Sequence, residues 1–183
     1  MNATSRILGE ARKVRPPTKR ELTDPHDAYF YAEEKLRMGR FPEGEAAIAK
    51  DPYWAYMYAR HIIKGRWPEA EATIATSPWG FPYAWHVIGG RWPEAEATIA
   101  TDPGWAYGYA VNVLNGRWPE AEAVIATDPL YVINYAKYVI KGRWPEAEAA
   151  IATNPHLAKS YLELFPDAKL EWVMKGWLDW LDL

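Results

Sequence analysis

The chain has 183 residues, enough for one ordinary domain, with a formal net charge of −3 and no cysteine. Disulfides, thiolate chemistry and a global basic field that would attract nucleic acid are excluded on these grounds. Charges and prolines interrupt every apolar stretch, and the amino terminus carries no apolar segment of the secretory kind, so a soluble cytoplasmic protein is expected.

The first 23 residues carry six basic residues, Arg6, Arg12, Lys13, Arg15, Lys19 and Arg20, against two acidic ones, Glu10 and Glu21. Ile7, Ala11 and Val14 have helical spacing but make a weak stripe, and Pro16-Pro17 stops any helix. Residues 1–23 therefore read as a basic, extended or mobile arm, and the rest of the chain is more acidic than the total suggests.

From residue 24 to residue 164 a repeat governs the sequence. Gly-Arg-Phe-Pro-Glu at Gly39 returns as Gly-Arg-Trp-Pro-Glu at Gly65, Gly90, Gly116 and Gly142, in steps of 26, 25, 26 and 26 residues. A fixed period in this range marks a repeat protein. Asp24-Pro25, Asp51-Pro52, Ser77-Pro78, Asp102-Pro103, Asp128-Pro129 and Asn154-Pro155 pair a favoured N-cap with proline at the first helical position. The spacing predicts longer helices over Pro52 to Lys64, Pro103 to Asn115 and Pro129 to Lys141, each closed by a glycine able to take the left-handed conformation. Between them lie short helices opened by Trp-Pro-Glu, two turns long, that no isolated peptide would sustain in water. Stability must come from stacking one unit on the next.

Spacing also assigns the faces. Ala55, Tyr58, Ala59 and Ile62, matched by Ala106, Tyr109, Ala110 and Val113, form the inward face of the longer helices. The tyrosine recurs as Tyr31, Tyr58, Tyr83, Tyr109, Tyr135 and Tyr161. Ile48, Ile74, Ile99, Ile125 and Ile151 anchor the short helices, and Trp67, Trp92, Trp118 and Trp144, with Phe41, seal the junctions. The array opens on a half unit, Asp24 to Met38. At residues 165–183, Phe165-Pro166-Asp167-Ala168 starts like a short helix that continues through Trp172, Val173, Trp177 and Leu181, which suits a C-terminal cap.

Over roughly Asp24 to Phe165, this alternation of a Pro-Glu short helix (Pro68-Glu69 with Ile74) and an Asp-Pro longer helix (Asp51-Pro52) resembles the leucine-rich-repeat variant family, a solenoid of short alternating helices. The chain departs from that family in having Tyr and Trp where the family is aliphatic. Arg-Trp-Pro-Glu-Ala-Glu is also similar to repeats in poorly characterised bacteriophage proteins, which implies a viral origin and a host cytoplasm. Neither resemblance carries a catalytic residue. The expected fold is all-α: an α-solenoid of about five 26-residue two-helix repeats with a C-terminal capping helix.

No residue set points to an enzyme. The glutamate pairs (Glu43 and Glu45, Glu69 and Glu71, Glu94 and Glu96, Glu120 and Glu122, Glu146 and Glu148) recur five times, whereas an active site is normally unique. They lie in a first helical turn, where acids are favoured, beside Arg40, Arg66, Arg91, Arg117 and Arg143, so Arg–Glu ladders between units explain them. His61 and His86 hold equivalent positions in adjacent units, but no third metal ligand follows from spacing. Ser77 serves as a cap, and no phosphate-binding loop is present. No cofactor or metal is expected. Nucleic acid is expected only through the basic arm, because stacked aromatics without a basic groove bind strands poorly.

Positions that differ between units are the candidates for recognition. On the longer helices they form three columns: Met57, Pro82, Gly108 and Asn134; Arg60, Trp85, Val111 and Lys137; and His61, His86, Asn112 and Tyr138. The unit from Gly65 to Gly89 is one residue short, and Pro82 is expected to remove a helix hydrogen bond there. The expected function is non-catalytic binding of a protein partner through Arg60, His61, Trp85, His86, Asn112, Lys137 and Tyr138, with a phage inhibitor of a host defence protein as one form. A small-molecule or nucleotide binder that stacks its ligand beside Arg60 and the histidines is the alternative.

Overall fold

The computed structural model describes residues 14–168 and 170. Among them every regular element is helical. Short helices α2 (Pro42–Ile48), α4 (Pro68–Ala75), α6 (Pro93–Ile99), α8 (Pro119–Ile125) and α10 (Glu148–Ile151) alternate with α1 (Pro25–Phe30), α3 (Pro52–Tyr58), α5 (Gly80–Tyr83), α7 (Pro103–Tyr109), α9 (Pro129–Tyr135) and α11 (Pro155–Leu164). Each helix touches its sequence neighbour, and α1, α5, α7 and α9 also touch the next helix of their own kind. Among the described residues no helix is long and apolar enough to cross a membrane.

The caps explain where the longer helices begin. Asp24, Asp51, Asp102, Asp128 and Asn154 have extended backbone, and each side chain accepts a bond from a backbone N–H of the first turn. Proline follows at a position whose N–H needs no partner. Past the recurring tyrosine the helices change character. α1, α3, α5, α7 and α9 run on as five-residue π-helical segments, Tyr31–Lys35, Ala59–Ile63, Ala84–Ile88, Ala110–Leu114 and Ala136–Ile140. Ala55, Tyr58, Ala59 and the five anchoring isoleucines have at most 1 % of their surface exposed, and Ile62, Ala106, Tyr109 and Ala110 are buried as the spacing requires, whereas Val113 is only partly buried.

The tyrosine does more than fill space. In the unit starting at Arg91, the Tyr109 hydroxyl accepts from the Trp92 backbone N–H (2.7 Å) and donates to Glu96 Oε1 (3.0 Å). Glu96 in turn takes the Nε and Nη2 hydrogens of Arg91. The same four groups meet as Arg40, Phe41, Glu45 and Tyr58; Arg66, Trp67, Glu71 and Tyr83; Arg117, Trp118, Glu122 and Tyr135; and Arg143, Trp144, Glu148 and Tyr161. Each aromatic ring after the arginine packs on the previous tyrosine while its backbone is held by the next. Trp92 lies 5.0 Å from the Tyr83 ring, for example. One residue thus joins three helices.

The arginine–glutamate pairs lie within a unit rather than between units, which corrects the expected ladder. The next unit's first glutamate still acts at longer range: Glu94 adds to the field that raises Arg66, and Glu120 to that at Arg91. The guanidinium holds the Glu71, Glu96 and Glu122 carboxyls below their ordinary range, with the tyrosine hydroxyl helping. Burial pushes Tyr109 and Tyr135 up to about 12.

Three local expectations are corrected. First, the left-handed residue closing a longer helix comes before the recurrent glycine. It is Lys64, Gly89, Asn115 and Lys141 in successive units, with φ of 59°, 71°, 51° and 59°. Gly65, Gly90 and Gly142 have no positive φ, and a Cβ there would meet nothing within 4 Å. Second, α5 starts late, at Gly80, so Pro82 sits in its first turn and removes no helix bond. Third, buried Ser77 does not cap that helix. It donates to the Ile74 carbonyl and accepts from the Trp79 N–H in a local turn.

At the array's start, residues 19–23 form a turn. Here Arg15 pairs with Glu21, and the Tyr31 hydroxyl donates to the Arg15 carbonyl. Arginine, glutamate and tyrosine meet here too, but the tyrosine donates to the arginine's carbonyl and not to the glutamate. At the other end Phe165 packs on Tyr161, and the Ala168 N–H bonds the Phe165 carbonyl, as Ala95 does with Trp92. Ile7 and Ala11 of the arm, and Trp172, Val173, Trp177 and Leu181 of the expected capping helix, lie outside the described residues.

These contacts set the expected stability of three variants. Tyr109→Phe keeps the ring but leaves the Trp92 N–H unpaired, and urea unfolding is expected to show a loss of about 1–3 kcal/mol. Lys64→Gly relieves the left-handed strain and is expected to gain up to about 1 kcal/mol in the same measurement. Gly65→Ala, one position on, is expected to stay within about 0.5 kcal/mol of wild type.

Candidate functional site

The expected recognition residues fall into two groups and two isolated positions. Arg60, on the π-helical extension of α3, meets His86, on that of α5. Trp85 lies beside His86 with ring centres 4.4 Å apart. Two units further on, the Lys137 ammonium sits 4.9 Å from the centre of the Tyr138 ring. Asn112 spends its amide on its own helix, donating to the Gly108 carbonyl (2.8 Å). His61 has no hydrogen-bond partner among the described residues, and the meeting of Arg60 with His86 is part of a wider pairing.

That pairing runs through Tyr56, a residue of the aromatic column that the comparison of units did not single out. Arg60 Nη1 donates to the Tyr56 hydroxyl (2.5 Å), and this hydroxyl lies 2.9 Å from His86 Nδ1. The Tyr56 hydroxyl therefore bridges Arg60 and the His86 imidazole. Crowding of the imidazole removes water from it, and the Arg60 charge adds to this, so His86 is held below its ordinary pKa.

The ring of Trp85 is 43 % exposed and stacks on Phe81 at an interplanar angle of 5°. Phe81 reaches into the next unit, where a Cβ on Gly108 would lie 2.8 Å from its ring. Gly108 is therefore a packing position, although it stands in a column that varies between units. Aromatic pairs join neighbouring units elsewhere: Tyr29 with Trp54, Tyr56 with Trp79, and Tyr107 with Tyr131, with centres 5.2–5.7 Å apart. The signal was present in the sequence as two further columns at the repeat spacing.

Two other features are accounted for locally. Asp24, His26 and Asp27 lie close enough to hold a metal ion. However, Asp24 caps α1, and Asp27 already pairs with Arg20 and His26. A depression of about 80 Å³ beside Tyr138, lined also by Val111 and Lys141, admits a few waters. Ligand pockets start at roughly 300 Å³.

No protein-family model matches the chain, and no curated protein and no solved structure shows significant similarity to it. The functional reading therefore rests on this geometry and on the repeat itself.

His86 is expected to titrate below the ordinary histidine value of about 6.5. Arg60→Gln removes one of the two causes and is expected to move the midpoint part of the way back up, as read from the imidazole resonances in a pH series.

Proposed function

We propose that this chain is a non-catalytic helical-repeat scaffold, an α-solenoid, that binds a protein partner through the solvent face of its longer helices. The observation that carries the reading is the exposure of large side chains on elements that are otherwise well packed. Trp85, Leu130 and Tyr138 have 43 %, 50 % and 52 % of their surface open, and all three come from longer helices. Tryptophan, tyrosine and arginine are frequent anchors of protein interfaces. Trp85 is moreover supported from below by Phe81 and flanked by His86, so little ordering would be needed on contact. The similarity of the repeat phrase to bacteriophage repeats extends the reading to an inhibitor of a host defence protein acting in the host cytoplasm.

Affinity capture from a host lysate tests this, with the Trp85→Ala/Tyr138→Ala double variant in parallel and native mass spectrometry on the purified chain. One partner held by the wild type and lost from the double variant is the expected result. Equal recovery on both, or a bound metabolite in the native mass, would overturn the reading. The metabolite would favour the small-molecule or nucleotide alternative.

A further inference from the structure

Seven of the described arginines pair with a carboxylate; Arg37 and Arg60 do not, and of these two only Arg60 is held by other side chains. In all five repeat junctions the guanidinium holds a carboxylate with its Nε and Nη2 edge, at 2.7–3.0 Å. Arg15 and Arg20 also pair with acids. Arg60 has no carboxylate among the described residues. It uses only Nη1, on Tyr56 and His86, and its guanidinium carbon lies 5.9 Å from the Tyr56 ring centre. The fork that grips glutamate elsewhere is here held in place and left open on an exposed residue.

The surroundings suit an anion. From Pro52 to Pro68, Pro78 to Pro93, Pro103 to Pro119 and Pro129 to Pro145 there is no Asp or Glu, so the repeats keep their acids on the short helices and the caps. The same stretches carry Arg60, Lys64, Lys137 and Lys141. α3, α5, α7 and α9 with their extensions are thus free of negative side chains, whereas α1 and its extension carry Asp27, Glu33 and Glu34, and α11 carries Glu163. Trp85 stacks on His86, the residue that Arg60 Nη1 meets, and presents a large exposed ring.

We propose that Arg60 is the receptor for a carboxylate of the partner protein, an Asp or Glu side chain taken bidentately by Nε and Nη2, with a neighbouring apolar side chain of the partner packed on Trp85. This rests on the protein-binding reading above and names the chemistry of the partner. A bidentate fork favours a planar carboxylate and is not reproduced by lysine. A single-stranded nucleic acid, stacking a base on Trp85 and a phosphate on Arg60, is the competing occupant. The carboxylate is favoured because Arg60 repeats a pairing the chain makes with glutamate five times, and because the nearby cations are too few to track a phosphate backbone.

The test is a selection from a random twelve-residue peptide display library on the full-length chain. The best peptides are then synthesised with each acid changed to its amide, and titrated beside a dT oligonucleotide against wild type, Arg60→Gln and Arg60→Lys. Selected peptides are expected to share an acidic residue next to an apolar one. Loss of that acid, or either substitution of Arg60, is expected to weaken binding roughly 10- to 100-fold. Arg60 is exposed and lies outside the junctions, so the variants are expected to melt with wild type, which circular dichroism checks. Acid-free peptides displaced by Trp85→Ala would overturn the carboxylate assignment and leave the protein-binding reading standing. Tighter binding of the oligonucleotide than of any peptide, or no selected peptide at all, would overturn both.

Discussion

A buried tyrosine hydroxyl is the constraint on which the array depends. Each two-helix unit is too short to persist alone, and apolar burial by itself would let neighbouring helices slide. The hydroxyl prevents sliding because it must satisfy two partners at once. One is a backbone N–H at the start of a short helix, and the other is a glutamate oxygen held by an arginine. Tyr58, Tyr83, Tyr109, Tyr135 and Tyr161 each make both bonds with no measurable exposure. In a medium of low polarity such a bond is costly to break, so it fixes register where packing alone would allow slack.

The glutamate pair divides its work accordingly. The second member of each pair is drawn inward to the tyrosine and the arginine, with side-chain exposure of 11–16 %, while the first stays in solvent at the positive end of the helix. Two identical residues two positions apart thus have different roles. Their repetition, which spoke against an active site, reflects a structural device used once per unit.

Much of this was legible in the sequence. The period, the Asp-Pro and Trp-Pro starts, the buried alanines and the isoleucine anchors follow from residue type and spacing. The π-helical extensions did not, because no residue type signals them and they alter hydrogen bonding without altering which side chains are apolar. The lysine at the left-handed position was hidden by the glycine that follows it, the residue type normally expected there. At the candidate surface, comparing units found Arg60, Trp85 and His86 as variable positions. It passed over Tyr56, because an aromatic residue repeated in most units reads as core. Arg60 and His86 also stand in different columns, and only the meeting of adjacent helices brings them together.

The short unit shows where the chain tolerates a change of length. Trp67 and Tyr83 are 16 residues apart, against 17 at the other junctions, yet the same hydroxyl bonds form. The missing residue is absorbed between Ser77 and Gly80, ahead of α5, where a tight turn replaces the first coil of helix. The stretch from a short helix to the following tyrosine is therefore an elastic joint, whereas the few residues linking arginine to glutamate are not. Foreign loops, affinity tags or probes grafted at the elastic positions should leave the neighbouring units in register.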